Sequence, residues 1–390
     1  MPLLEFTSEG IYCPGAGVYL DPWKPVKKAL ITHGHSDHAR WGHERYLCTT
    51  AAAPVIRHRL NLNDQLDTVD FGEKVYINGV QFSFHPAGHI PGSAQIRVEH
   101  NGEVWVFSGD YKLEHDGISE PFEPVRCHTF ITESTFGLPV YNWKPQKEIF
   151  DDVNEWWRRN QAAGKVSVIA GYTLGKSQRI LRNVDSSIGK IFLHGAIRSV
   201  TSLFSSLNQD LPETTYVAPD MKKKDFEGGL VVCPPSALGT PWLRRFDPYS
   251  LGIASGWMGL RGARRRRGAD RGFVLSDHAD WRALNLAVRE TGASCVYVTH
   301  GYASIFSRWL TSMGLEAHEV KTQYEGELAE IAEGGTDEIK PDDGKPGENK
   351  PDEDRASLQQ GDLPLDPNID QSYSDAKKEL RDINQQEHDD

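Results

Sequence analysis

Six short apolar runs in this chain each break off at a histidine or a carboxylate. KALIT leads to His33, VQFSFHPAG to His89, VWVFSG to Asp110, TFIT to Glu133, GFVLSD to His278 and CVYVT to His300. Short apolar, β-branched runs bounded by polar loops read as buried strands. Strand ends in a rigid sheet are where loops carrying chemistry are best positioned. One such coincidence carries little. Six of them restrict the chain to sheets whose ends converge on one polar cluster. Helical periodicity at Gln146–Asn160 and Asp280–Thr291 makes the class α/β.

The first strand end is the densest. In ITHGHSDHARWGH, His33, His35, Asp37 and His38 crowd together and His43 follows, in a chain with fifteen histidines overall. Imidazole nitrogens and carboxylate oxygens suit zinc or manganese, and an H-x-H pair can aim two nitrogens at one ion. The adjacent Asp37 and His38 then project elsewhere, towards a second ion.

Several motifs together resemble a known family. THGHSDHA resembles the signature of the metallo-β-lactamase fold, and HPAGHIPGSAQIRVE and VFSGDYK look like its later histidine and bridging-aspartate motifs. ITESTFG, LSDHADW and VYVTHG match the three extra motifs of the β-CASP nucleic-acid-processing branch, extended by GYTLGKSQRIL, PPSALGTPWLRRF and IASGWMG. The match covers about residues 5–330. It is nearest to the bacterial ligase-associated DNA exonucleases, relatives of the Artemis nucleases.

The resemblance implies an αββα sandwich from residues 1–145 and 269–335 and a β-CASP α/β domain inserted at 146–268, while the tail at 336–390 lies outside it. It implies one ion on His33, His35 and His89, a second on Asp37, His38 and His300, and Asp110 bridging them. Seven donors with one shared carboxylate indeed make two four-ligand sites. It further implies catalytic roles for Asp37, Glu133 and His278, with His278 facing the leaving oxygen and Glu133 orienting it. The cofactors would be two divalent ions, zinc or alternatively manganese. Asp21 would be an early structural aspartate, or else only a surface turn before Pro22.

The substrate expectation is DNA, in repair, with functional association to an ATP-dependent DNA ligase and a helicase implied by the resemblance. An RNA-processing nuclease is the alternative, because a histidine at the last motif, here His300, is more usual in the RNA enzymes of the branch. A non-catalytic nucleic-acid scaffold and a small-molecule metallohydrolase are weaker readings. GLRGARRRRGADRG places Arg264, Arg265, Arg266 and Arg267 shortly before His278, and arginine forks recognise phosphate oxygens. Trp257 reads as core, with stacking on a base as the alternative. His194 is open between core and substrate channel, while His43, His58, His85, His115 and His128 match no motif.

Other features exclude function classes. GYTLGKS separates Gly171 from Gly175 by three residues, one short of a phosphate-binding loop. Five scattered cysteines without C-x-x-C spacing fit reduced thiols rather than a disulfide framework or thiolate zinc site. No signal peptide and no apolar run of roughly 18 residues is evident, so the expectation is cytoplasmic with no membrane partner. The net charge of −12 looks hostile to nucleic acid, but residues 336–390 carry −10 of it and residues 1–335 only −2. That Pro-, Asp- and Glu-rich tail cannot bury enough apolar surface to offset ordering entropy, so disorder is its expected state.

Overall fold

The computed structural model describes residues 2–206, 211–260 and 268–323. Arg264, Arg265, Arg266, Arg267 and the tail at 336–390 lie outside the described residues. The described residues form a mixed α/β structure with three sheets.

The first sheet runs in sequence order through β1 (Glu5–Phe6), β2 (Ile11–Cys13), β3 (Val18–Leu20), β4 (Lys28–Leu30), β5 (Arg45–Thr49) and β6 (Leu66–Val69). The second begins with β7 (Val75–Ile77), β8 (Val80–Pro86), β9 (Ala94–His100) and β10 (Glu103–Phe107), an antiparallel meander. Two of its turns are Asn-Gly pairs, Asn78-Gly79 and Asn101-Gly102, with all four residues at positive φ. That conformation closes a two-residue hairpin, and Asn-Gly is the pair that tolerates it best. β11 (Thr129–Ser134) then joins β10 in parallel.

Between β11 and the return to the second sheet lies a third sheet, parallel throughout. Its strands are β12 (Val166–Ala170), β13 (Ile191–Leu193), β14 (Thr215–Tyr216), β15 (Leu230–Cys233), β16 (Tyr249–Ala254) and β17 (Arg271–Phe273), in the order β14-β13-β15-β12-β16-β17. Every residue of β12 and β15 is buried. Strands covered on both faces lose the apolar–polar alternation, which is why these read as unbroken apolar runs. β17, paired with β16, lies wholly beyond residue 268, where the sequence reading ends the insertion. β18 (Cys295–Gly301) then pairs in parallel with β11, and β19 (Glu316–Glu319) closes the second sheet beside β18.

The cores follow these faces. Ile11, Val18 and Leu20 of the first sheet meet Phe82, Phe84, Ile96 and Ile131 of the second. The outer face of the first sheet packs Ile31 and Tyr46 on Ile56 and Leu60 of helix α1 (Ala53–Leu60). The third sheet packs Ile169, Leu193 and Val232 against α2 (Gln146–Ala162), α3 (Lys176–Asn183) and α4 (Gly195–Ser206). Ile149, Val153, Trp156, Trp157 and Asn160 form the buried stripe of α2, at the i, i+3, i+4 spacing of an amphipathic helix. The second sheet's outer face sets Phe130 and Val296 against Trp281, Leu284 and Val288 of α5 (Trp281–Thr291) and Phe306 and Trp309 of α6 (Ala303–Ser312). Trp257 is buried against Phe136.

Five of the six apolar runs carry their polar residue at or just beyond a strand end. The sixth differs. β17 stops at Phe273, where the Leu275 N–H turns back onto the Phe273 carbonyl, so His278 arrives on a loop. The pairing of β11 with β18 is irregular between Thr132 and Ser134, with Thr299 and His300 opposite Glu133. Such bulges re-aim side chains and recur beside active sites. Gly301 makes the bulge possible: its φ is +74°, and a Cβ there would collide with the Ser134 carbonyl.

Candidate metal centre

Seven side chains meet at the ends of these strands. Donor atoms of His33, His35, His89 and Asp110 all lie within 4.8 Å of one another, and all four residues are buried. Asp110 Oδ2 is 3.6 Å from His33 Nε2, 3.8 Å from His89 Nε2 and 3.4 Å from His38 Nε2. The other oxygen, Oδ1, is 3.0 Å from His300 Nε2. Asp37, 15% exposed, sets Oδ2 3.6 Å from His38 Nε2. Asp110 thus lies against imidazoles of both expected sets. Gly109 lets it approach: its φ is +55°, and a Cβ there would come within 2.7 Å of Thr32 Oγ1.

Each imidazole has one nitrogen anchored and the other turned inward. His38 Nδ1 is 2.7 Å from Asp21 Oδ2, and His33 Nδ1 is 3.0 Å from Thr32 Oγ1. His300 Nδ1 is 3.2 Å from Thr299 Oγ1. His35 donates Nε2–H to the Leu174 carbonyl at 3.1 Å, and His89 donates Nδ1–H to the Asp277 carbonyl at 2.8 Å. A carbonyl can only accept, so these two contacts fix both tautomers.

The consequence is chemical. Burial first, and neighbouring imidazoles next, hold His33, His35 and His89 below the usual histidine range, which favours the neutral form of all three. A neutral imidazole carries one proton. With those protons committed to carbonyls, His35 Nδ1 and His89 Nε2 face each other bare at 2.9 Å. Two lone pairs so placed repel unless a cation lies between them. His33 Nε2 is likewise buried without a hydrogen-bond partner. The donor set therefore fits divalent ions, and anchored far nitrogens are the usual support of histidine ligands.

Asp110 and His38 carry the opposite charges. Burial would raise the Asp110 carboxyl, but the surrounding imidazoles, led by His38, hold it well below the usual carboxylate range. Burial would lower His38, but the charges of Asp110 and Asp37 push it well above the ordinary histidine value. Ion uptake must displace that proton, as ligand sites generally require.

Beside the cluster sits a second buried arrangement. His278 Nδ1 is 2.9 and 3.0 Å from the two oxygens of Glu133. Glu133 also accepts from the Tyr111 N–H at 2.9 Å and from Thr135 Oγ1. Burial would raise Glu133, but the His278 charge holds its carboxyl below the ordinary value. Asp110, Glu133 and His278 place donor atoms within 4.8 Å of one another, and the His278 and His89 ring centres are 4.6 Å apart. Asp21, fully buried, takes the Thr32 N–H and hydroxyl besides His38, so it is no surface turn. His194 is half-buried, accepting the Ala196 N–H and packing edge-on against Trp242.

Leu174, Asp277 and the cations around Asp277 are absent from the sequence-derived set. Arg179 Nη1 lies 3.2 Å from Asp277 Oδ1 and Lys176 Nζ 3.6 Å from Oδ2, all three side chains being buried. The available signal was two cations one turn apart, Lys176 and Arg179, in the helix start KSQRIL. Among the described residues the five cysteines are unpaired, and no helix is long and apolar enough to cross a membrane.

No family model matches the chain. A probable DNA ligase of Opitutus terrae is 32% identical over 82% of this chain, which spans 31% of that protein. An RNase aCSPSF2 of Saccharolobus solfataricus is 26% identical over 42% of this chain and 33% of its own length. The chain thus spans about a third of the length of these relatives. A crystal structure of a protein of unknown function from Enterococcus faecalis superposes with a TM-score of 0.51 at 9% identity, over 70% of this chain and 74% of that one. At that identity the likeness is one of fold.

Proposed function

We infer, from a chain that fits the β-CASP branch of the metallo-β-lactamase nucleases, that it is a two-metal phosphodiester hydrolase acting on nucleic acid, and most simply a DNA exonuclease in repair. The observation that carries this reading is the adjacency of the ion-fitting cage around Asp110 to the buried Glu133–His278 pair. The helix–sheet–sheet–helix packing is read as the αββα sandwich of residues 1–145 and 269–335, with 146–268 as the inserted domain.

In this reading His33, His35, His89 and Asp110 hold one ion, and Asp37, His38, His300 and Asp110 the other, as zinc or manganese. Two such ions, when bound, would supply a water-derived nucleophile near neutral pH and charge stabilisation for the attacking and leaving oxygens. His278 presents Nε2 to the leaving oxygen as hydrogen-bond or proton donor. Glu133 holds Nδ1 and so orients the ring with Nε2 outward. Asp21 and Thr32 keep His38 and His33 aimed inward.

DNA is favoured by the relative named a probable DNA ligase, which matches along four-fifths of this chain. This also supports functional association with a ligase. RNA is the second reading, favoured by His300 and by the relative named an RNase. Digestion of end-labelled DNA and RNA of matched sequence, with zinc and manganese in turn, separates them. Cleavage of RNA alone would overturn the DNA assignment.

Arg264, Arg265, Arg266 and Arg267 are proposed to contact phosphates. Replacing all four with alanine should weaken binding of unrelated sequences equally and leave metal content unchanged. It should also flatten the slope of log affinity against log salt by about 0.7 for each single-strand phosphate no longer neutralised. An unchanged slope, measured by fluorescence anisotropy across salt, would leave the run as a solvated loop.

A further inference from the structure

We propose that the inserted segment and its return loop complete one of the two ion positions and not the other, with Arg179 and Lys176 as positioning residues acting through Asp277. The proposal rests on the two-metal reading above.

The imidazoles differ in where their anchors come from, and His35 and His89, two of the three assigned to the first ion, stand apart from the rest. His38, His33 and His300 are held by Asp21, Thr32 and Thr299, each from the first two sheets or the loops leaving them. His35 and His89 are held by carbonyls of Leu174 and Asp277. Leu174 lies between β12 and α3, and Asp277 follows β17, so both reach the centre from the third sheet. Backbone carbonyls cannot swing independently of their loops, so the aim of these two imidazoles depends on where the loops sit.

Both loops are fixed by side chains that touch neither ion group. Arg179 donates to the Ser276 carbonyl, to Asp277 Oδ1 and to Gln146 Oε1, tying α3 and α2 to the return loop. Lys176, one turn earlier, reaches the other Asp277 oxygen. On the Leu174 side, Gly175 has a φ of +90° and packs so closely on Ile90 that a Cβ there would collide with it. This seats the loop carrying Leu174 against the one carrying His89. Leu174 itself packs with Val55, Ile90 and Phe204. Retaining two buried cations on one carboxylate is costly in desolvation, and such pairs are best explained by the arrangement they specify.

Arg179→Met leaves the Lys176–Asp277 pair in place while freeing the return loop. In the full-length protein, one of two zinc equivalents should then bind 10- to 100-fold more weakly, the usual effect of losing support behind a ligand. The other should keep its affinity. Chelator competition with elemental analysis reads both. Lys176→Met, which keeps the arginine contacts, is the milder companion if Arg179→Met unfolds, with circular dichroism as the check. Assignment comes from double variants. Arg179→Met added to His35→Ala should weaken the remaining ion no further, whereas added to His300→Ala it should weaken the ion that is left. Parallel weakening of both ions, as general loosening would give, overturns the proposal, as does no weakening of either. Wild-type protein that takes up no stoichiometric ion would overturn the two-metal reading itself, a result distinct from either.

Discussion

Asp110→Ala is expected to lose bound metal and hydrolysis together. Its carboxylate is the group that reaches both sets of imidazoles, at 3.0 Å from His300 on one oxygen and 3.4–3.8 Å from His38, His33 and His89 on the other. Removing it also withdraws the buried negative charge that offsets the cluster's positive charge. The rate loss should exceed the ~10²–10³-fold that follows from deleting a single charge-stabilising donor. Elemental analysis is the check. A variant with two full metal equivalents would show that Asp110 does not bridge, whatever its activity.

The second large effect should fall on chemistry without touching metal. His278→Ala removes a side chain whose Nδ1 is bound by Glu133, not by the ion-facing carboxylate. Metal content and substrate affinity should persist while single-turnover cleavage slows by ~10²–10⁴-fold, the range for a lost general acid. Glu133→Gln should follow the same pattern more weakly, because the imidazole remains and loses only its anionic partner. A missing metal equivalent in His278→Ala would make His278 a ligand and reverse the division of roles. The proximity of Asp110, Glu133 and His278 makes that a real contest.

The residues brought together at the centre were legible in the sequence for a physical reason. Buried strands need apolar runs, and ion-fitting side chains are few and chemically distinctive, so their adjacency in THGHSDHA stands out. Periodicity likewise located α2 and α5 nearly to the residue. The support behind the site was not legible. Leu174 and Asp277 act on histidines through main-chain oxygens, which every residue type possesses. Asp21 was open between two readings because its partners, Thr32 and His38, lie 11 and 17 positions away. His278 was expected just past a strand end, and the tight turn at Phe273 explains why the strand stops earlier and a loop carries it.

The pairing of β11 with β18 also sets a timetable. Ser134 donates its hydroxyl to the carbonyl of His300, a residue 166 positions later, and the entire third sheet is threaded through that interval. Closing a longer loop costs only ~0.6 kcal/mol per doubling of length, so the final state loses little by the detour. The kinetics are another matter, since long-range strand pairing is slow and waits on everything between. On a ribosome, His33, His35, His89 and Asp110 all emerge before synthesis of the third sheet begins, whereas β18 emerges after it. The nascent chain would thus carry the proposed ligand set without His300 through most of its synthesis, and that set closes only when β18 docks on β11.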